Sequence, residues 1–387
     1  LLEQRYFHIF RLPARVSEKT PASLDNPFFF CQTLQPNRNV QIAAPLFYML
    51  TTDFSASFLF GEKRCREQGK EQFMKTRITE MLGIDYPIVQ GGMAYLATPE
   101  LVAAVSNAGG FGLLTVTMFR PDEVGPKIEE TRKLTDKPFG INITPTCETL
   151  GENLDACIEA KAFAVTYGRG RYTTDMVMEK LKPEGILCFP IIGNLKQAVR
   201  VEEEGADGII ASGYEGGGHT GYVATIPLVT QVIDRVKIPV VACGGIVNGK
   251  GLAAALAMGA EGVQMGTRFA CTQESPAHAN YKQTVIDSSG DDSIVTGAIT
   301  GVRMRCLRNK LTETFENLES KKATAREFDR AGLGKLRAAL LDGDCDFGSL
   351  ACTQSSGAIN DIPTCSELIQ SMVAESKAAL ENARRCF

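Results

Sequence analysis

The sequence predicts a (β/α)₈ TIM barrel on three observations. Eight short apolar runs are each followed by a polar loop and, up to the last, a helical pattern; glycines close several of those runs; and no G-x-G-x-x-G fingerprint follows the first run. Units spaced roughly 20 to 30 residues apart make each helix a crossover between parallel strands. Eight of them most simply close into a barrel, with an open doubly wound sheet as the competing arrangement.

Residues 1–73 lack this pattern. They begin with Leu1 and mix Pro, Phe and charged residues without period. The apolar patch from Pro45 to Gly61 is interrupted by Asp53 and several hydroxyl residues, so it is not read as a membrane span. No basic start precedes a compact apolar stretch, so a signal peptide fits poorly. The segment is expected to be a disordered N-terminal extension or, the favoured reading, translated sequence upstream of a true start at Met74.

From Met74 the chain becomes regular. Pro87-Ile-Val-Gln is the first strand, and Thr98–Asn107 its helix, with Thr98 as N-cap, Pro99 at the first position and Gly109 beyond the end. Phe111-Gly-Leu-Leu-Thr leads to a helix over Pro121–Leu134, and Phe139-Gly-Ile-Asn-Ile to one near Thr149–Ala160. Phe163-Ala-Val-Thr and the run from Gly185 to Ile191 are the fourth and fifth strands, with helices near Thr173–Leu181 and Leu195–Glu204. Asp207-Gly-Ile-Ile-Ala, Ile238-Pro-Val-Val-Ala-Cys and Gly262-Val-Gln-Met complete the eight, with helices near Pro227–Val236 and Gly249–Met258. The barrel domain is therefore set at 74–274. Residues 275–387 form a helical region, with helices expected near Leu307–Leu318, Ala325–Leu341 and Ser366–Ala383 and a loop from Cys352 to Pro363.

Composition narrows the function classes. A chain with 44% hydrophobic and 22% charged residues is globular, and a net charge of -4 with no Lys/Arg run argues against nucleic acid as a partner. The cysteines show no C-x-x-C or His/Cys spacing, so neither a metal site nor a disulfide framework is expected, a usage that suits the cytoplasm.

In a barrel, the loops after the strands share one face and carry the active site. Those loops hold Gly92 and Met93, Asn142, the stretch ASGYEGGGHTG from Ala211 to Gly221, Gly244 and Gly245, and Gly266 and Thr267. Glycine allows close approach of backbone N–H groups to a ligand, and small residues after the last two strands are where such barrels hold a phosphate. Each glycine alone also suits a tight turn; glycines after both of the last two strands favour a phosphorylated ligand. His219, in the triple-glycine loop, can exchange protons near neutral pH. His8 and His278 lack such a setting and are given no role.

The stretches IDYPIVQGGMAYLATPELVAAVSNAGGFGLLT, LTDKPFGINI, GYEGGGHTG, VVACGGIVNGKGLAAALAMGAEGVQMGTRF and INDIPTCSELI together resemble the nitronate monooxygenase family of FMN-dependent barrels, which includes the flavin-dependent enoyl-acyl-carrier-protein reductases and NAD(P)H:quinone reductases. The resemblance spans Met74 to the C-terminus. It implies FMN across the strand ends, with Gly92 and Met93 by the ring, Asn142 hydrogen-bonding it, and Gly218 approaching by backbone. Ala242, Cys243, Gly244, Gly245, Gln264, Met265, Gly266 and Thr267 would serve the phosphate side. His219 matches the catalytic histidine. It also implies that the C-terminal helical region caps the active-site face. Gly216, where many relatives carry alanine, and Ser212, where acidic residues are common, depart from the pattern.

The leading expectation is an FMN-dependent oxidation of alkyl nitronates by O₂, with His219 as hydrogen-bond donor or base. The alternative is NAD(P)H-dependent reduction of an enoyl thioester, or of a quinone. LLTVTMFRPDEV and INDIPTCSEL favour the first, MKTRITEMLGIDYPI and SPAHANYK the second. A non-catalytic barrel holding a phosphometabolite is the third; colourless protein unable to take up FMN would select it. The expected partner is a small-molecule substrate, a nitronate or enoyl thioester, with NAD(P)H as candidate donor, a homodimer as candidate assembly, and no membrane. Arg303, Arg305 and Arg308 are read as a solvated basic helix face, although they suit a phosphate or acyl carrier.

Overall fold

The structure, a computed structural model, describes residues 74–144, 149–168 and 174–387. The expected extension 1–73, with His8, lies outside them. Eight parallel strands form one sheet: β1 Ile88–Gln90, β2 Gly112–Thr115, β3 Phe139–Ile143, β4 Ala164–Gly168, β5 Leu187–Ile192, β6 Ile209–Ser212, β8 Val240–Cys243 and β9 Gly262–Met265. Their order is β1-β9-β8-β6-β5-β4-β3-β2. The ring closes between β1 and β2, where Gln90 N donates to Phe111 O and Phe111 N to Ile88 O, both at 2.9 Å. The predicted barrel is present.

Strand alternation divides its apolar residues into two layers. Ile88, Leu114, Ile141, Val165, Ile209, Val240 and Val263 face the surrounding helices, whereas Val89, Leu113, Ala164, Phe189, Ile210 and Val241 fill the interior. Ile78 and Leu82 of a short helix α1, Arg77–Leu82, join the interior layer and plug it from the amino end. That helix was not among the expected elements. The crossover helices are α2 Pro99–Asn107, α3 Pro121–Leu134, α4 Leu150–Glu159, α5 Thr174–Leu181, α6 Leu195–Glu203, α7 Thr225–Ile233 and α8 Gly249–Ala257. Asn194 and Asn248 cap α6 and α8 through their side chains; Thr98 stands at the N-cap of α2 without such a bond.

The region after β9 is less purely helical than expected. It holds α9 Thr267–Ala270, α10 Ala279–Ile286, α11 Lys310–Ser320, α12 Ala325–Gly332, α13 Lys335–Leu340 and α14 Cys365–Arg384, but also two strands, β10 Ser293–Thr296 and β11 Met304–Leu307. These pair antiparallel, and β11 pairs with a two-residue strand, β7 Gly218–His219, in the loop after β6. The basic residues read as a helix face thus lie on and beside a strand. Arg305 is 2% exposed, and only Arg308 sits outward, near Glu316. The single helix expected over Ala325–Leu341 is two, broken at Leu333 and Gly334, where Gly334 takes φ 73°.

The last helix, α14, packs on the barrel's outer layer against α8 and α2. Leu368, Ile369, Met372 and Val373 join the helix-facing core. A Cβ at Gly249 would lie 2.3 Å from Met372 O, and the Gly249 N–H donates to Glu375 at 2.7 Å.

Candidate functional site

At the carboxyl ends of the strands the inward positions turn polar. Thr115, Asn142, Thr166, Ser212, Cys243 and Gln264 follow the apolar interior layer on six of the eight strands; neighbours pair in register, Thr115 with Asn142, Asn142 with Thr166, Ser212 with Cys243 and Cys243 with Gln264. Asn142 Nδ2 donates to Thr166 Oγ1 at 2.9 Å, and Met93 N to Thr115 Oγ1 at 3.0 Å, which draws the loop after β1 over the mouth. Gly92 consequently lies on Asn142: a Cβ there would be 2.1 Å from Asn142 Cγ. Gln264 Nε2 reaches Cys243 Sγ at 3.5 Å. Burial pushes the Cys243 thiol up, so it is no thiolate nucleophile.

The glycine cradle lies between β6, β8 and β9. The Glu215 carboxylate accepts from Thr225 N and Oγ1, each at 2.8 Å, and Thr225 Oγ1 is also 2.9 Å from Gly244 O. This clamp brings the loop after β6 against the loop after β8. Gly244 (φ 99°) and Gly245 (φ 74°) take left-handed backbone there, and a Cβ at Gly244 would meet Gly213 O at 3.0 Å and Gly216 N at 3.1 Å. At Gly216 itself an added methyl would meet Gly213 O at 3.3 Å, so the alanine of relatives fits with a small shift.

Residues 353–355 complete the cradle from the C-terminal region. Thr353 N donates to Thr267 Oγ1 at 3.0 Å, Thr353 Oγ1 and Gln354 N to Glu215 O at 2.9 Å each, and Ser355 Oγ to Gly245 O at 2.8 Å. Arg268, buried beside Thr267, pairs with Asp361 Oδ1 at 2.7 Å and holds the same loop down. Glu215, Thr225, Thr353 and Ser355 were not singled out in the sequence. Of these only Glu215 adjoins a glycine, Gly216, that would have drawn attention to it.

His219 stands on β7, paired with Met304 of β11. It is solvent-accessible, yet protein crowds round the ring and that desolvation lowers its pKa, so the imidazole is neutral at pH 7. The expected residues thus gather at one mouth, with a difference in kind. Ala242 and Met265 point into the helix-facing core and have only backbone to offer, as Gly92, Gly218, Gly244, Gly245 and Gly266 do. Met93, Asn142, Cys243, Gln264, Thr267 and His219 offer side chains. His278 instead caps α10, its Nδ1 accepting from Asn280 N at 3.1 Å.

The residues fit FMN. Gln264 Oε1 is buried at the mouth with no hydrogen-bond partner, an acceptor suited to an N–H of a flavin ring. Gly244 and Gly245 carry no side chain and take left-handed backbone, as a loop that brings N–H groups to a phosphate requires. Among the described residues no His/Cys/Asp/Glu group is arranged to hold a metal ion, and no helix is long and apolar enough to cross a membrane.

Comparison with known proteins identifies the family. Residues 75–157 and 149–375 match the family described as nitronate monooxygenase. The chain is 35% identical over 350 residues to the (3aS,4S,5R,7aS)-5-hydroxy-7a-methyl-1-oxo-octahydro-1H-indene-4-carboxyl-CoA dehydrogenase of Mycobacterium tuberculosis, covering 80% of this chain and 98% of that one. To a probable nitronate monooxygenase of Staphylococcus aureus it is 34% identical over 292 residues, covering 63% and 81%. The solved structure of FabK from Thermotoga maritima superposes with TM-score 0.78 at 40% identity, covering 81% of this chain and all of that one.

Proposed function

This chain belongs to the nitronate monooxygenase family and is an FMN-dependent oxidoreductase, and on that premise we propose that it works between NAD(P)H and an acyl thioester, of the enoyl class. FMN supplies the two-electron, hydride-transferring chemistry. Gly244, Gly245, Gly266 and Thr267 would hold the phosphate, joined by the backbone of Ala242, Cys243 and Met265. Gln264, Asn142, Gly92, Met93 and Gly218 would border the ring. His219, neutral at pH 7, would donate a hydrogen bond to the thioester carbonyl and polarise it. The β7–β11 ladder fixes the backbone from which it does so.

What supports the thioester reading is that the likeness to a CoA-ester dehydrogenase and to FabK runs the length of those proteins, C-terminal region included. That region supplies Thr353 and Ser355 to the cradle and the strand opposite His219. Nitronate oxidation, ranked first on the loops alone, is the second reading. The family match favours it, and in it His219 would donate to the nitro oxygens.

Anaerobic flavin absorbance separates the two. The thioester reading expects NAD(P)H to bleach the flavin and a 2-enoyl thioester to restore it. Bleaching by an alkyl nitronate, with aerobic O₂ uptake and no response to the thioester, would reverse the order.

A further inference from the structure

Two arginines beside His219 are used by nothing described so far. Met304 pairs with His219 and Arg305 with Gly218, so His219 and Met304 share one face of the ladder and Arg305, with Arg303 two residues before it, the other. Arg303 lies over the Tyr222 ring, 4.0 Å from its centroid, and Arg305 over that of Tyr214 at 4.7 Å. Both tyrosines flank the triple glycine in the loop that carries His219.

Arg305 is buried. Its Nε donates to Tyr214 O at 3.2 Å and its Nη1 to Ser293 Oγ at 2.7 Å, while Nη2 is buried without a partner, as is Arg303 Nε. Among the described residues neither guanidinium has a carboxylate within ion-pair distance, although Arg268, Arg308 and Arg337 each do. A buried cation surrounded by neutral groups is strongly unfavourable, and ring faces recover only part of the loss. Arg305 is such a cation, and with the half-buried Arg303 on the same face it calls for an anion. There is room beside them: a Cβ at Gly218, opposite Arg305, would meet nothing within 4 Å. Tyr222 is 73% exposed, which sets Arg303 at the rim, open to a ligand from solvent.

Resting on the thioester reading, we propose that Arg303 and Arg305 form a subsite for a phosphate on the tail of a co-substrate. Arg303 takes the phosphate through its planar fork. Arg305, behind it, adds its charge and holds Tyr214 and the His219 loop in place. FMN's own phosphate has a different cradle, at Gly244 and Gly245. A nucleotide-type tail fits either the nicotinamide donor or a coenzyme A thioester, and both carry the required group.

Arg303→Gln and Tyr222→Ala, made in the full FMN-loaded chain, test this. Crotonyl-CoA is compared with crotonyl-N-acetylcysteamine, which has no phosphate, and NADPH with NADH, which lacks the 2′-phosphate. Arg303→Gln is expected to raise KM about tenfold for the member of one pair that carries the extra phosphate, as for loss of one charge-assisted contact, with kcat and the member that lacks it nearly unchanged. The affected pair identifies the source. Tyr222→Ala should show a smaller loss in the same pair. Equal effects on both members of both pairs, or none, overturn the subsite, and so does loss of bound flavin from Arg303→Gln. If no thioester is turned over, the functional reading fails separately; calorimetric titration with coenzyme A and NADPH still tests the arginines, and affinities equal in wild type and Arg303→Gln reject them.

Discussion

The Ser355 hydroxyl donates to the Gly245 carbonyl at 2.8 Å, joining the end of the seventh barrel strand to a residue 110 positions later. The glycine cradle is therefore closed by the C-terminal region. Ser355→Ala removes one hydrogen bond from a glycine held at φ 74°, worth about 1 kcal/mol. FMN affinity, measured by fluorescence on release, should fall roughly fivefold, with a small loss of thermal stability.

Glycines of the cradle should differ sharply in tolerance. Gly244→Ala combines φ 99° with a Cβ 3.0 Å from Gly213 O, so it should cost flavin binding and stability together. A Cβ at Gly266 meets only the Met93 side chain, at 3.7 Å or more, so Gly266→Ala should fold and stay yellow. Gly266→Asp should fold but lose flavin through repulsion of the phosphate. Retention of FMN by Gly266→Asp, seen in the visible absorption of a bound flavin, would move the phosphate elsewhere.

His219→Ala should leave the flavin spectrum nearly intact and lower kcat/KM about 10²-fold. Desolvation by the protein around the ring lowers the folded-state pKa of the solvent-accessible His219 below its unfolded value. Its contribution to stability is present above the unfolded value near 6.5 and is lost as pH falls through the folded one. Wild-type activity should be flat near pH 7 with an acid limb below about 6.5, and that limb should vanish in His219→Ala.

A chain starting at Met74 should fold and bind FMN as the full chain does. Strand-helix patterning begins there, and the family match begins at residue 75. Circular dichroism and flavin content of the shortened chain check it; insoluble or flavin-free protein would place necessary structure before Met74.

The barrel was legible because each strand is a short, largely apolar run between turn residues, and because Pro99, Asn194 and Asn248 mark helix starts locally. The two-residue β7 was not: Gly218–His219 carries no alternation, and it is a strand only because Met304 and Arg305 come to it from far along the chain. Glu215 and Thr225 escaped notice for the same reason, since a carboxylate clamp on a distant glycine loop leaves no period in the sequence. Arg305 is buried, whereas an arginine in a short basic stretch is ordinarily solvated.

Helix α14 has a consequence for the order of events when the protein is made. All eight strands are synthesised well before Cys365–Arg384, yet Gly110 and Gly249, at either side of the barrel seam, rest against that helix through Ile369, Met372 and Glu375. A nascent chain therefore carries a ring with its flank still uncovered, and the cradle lacks Ser355 for almost as long. FMN held in this cradle would need Ser355 in place, and a chain lacking α14 would bare the α2–α8 surface and be prone to associate through it.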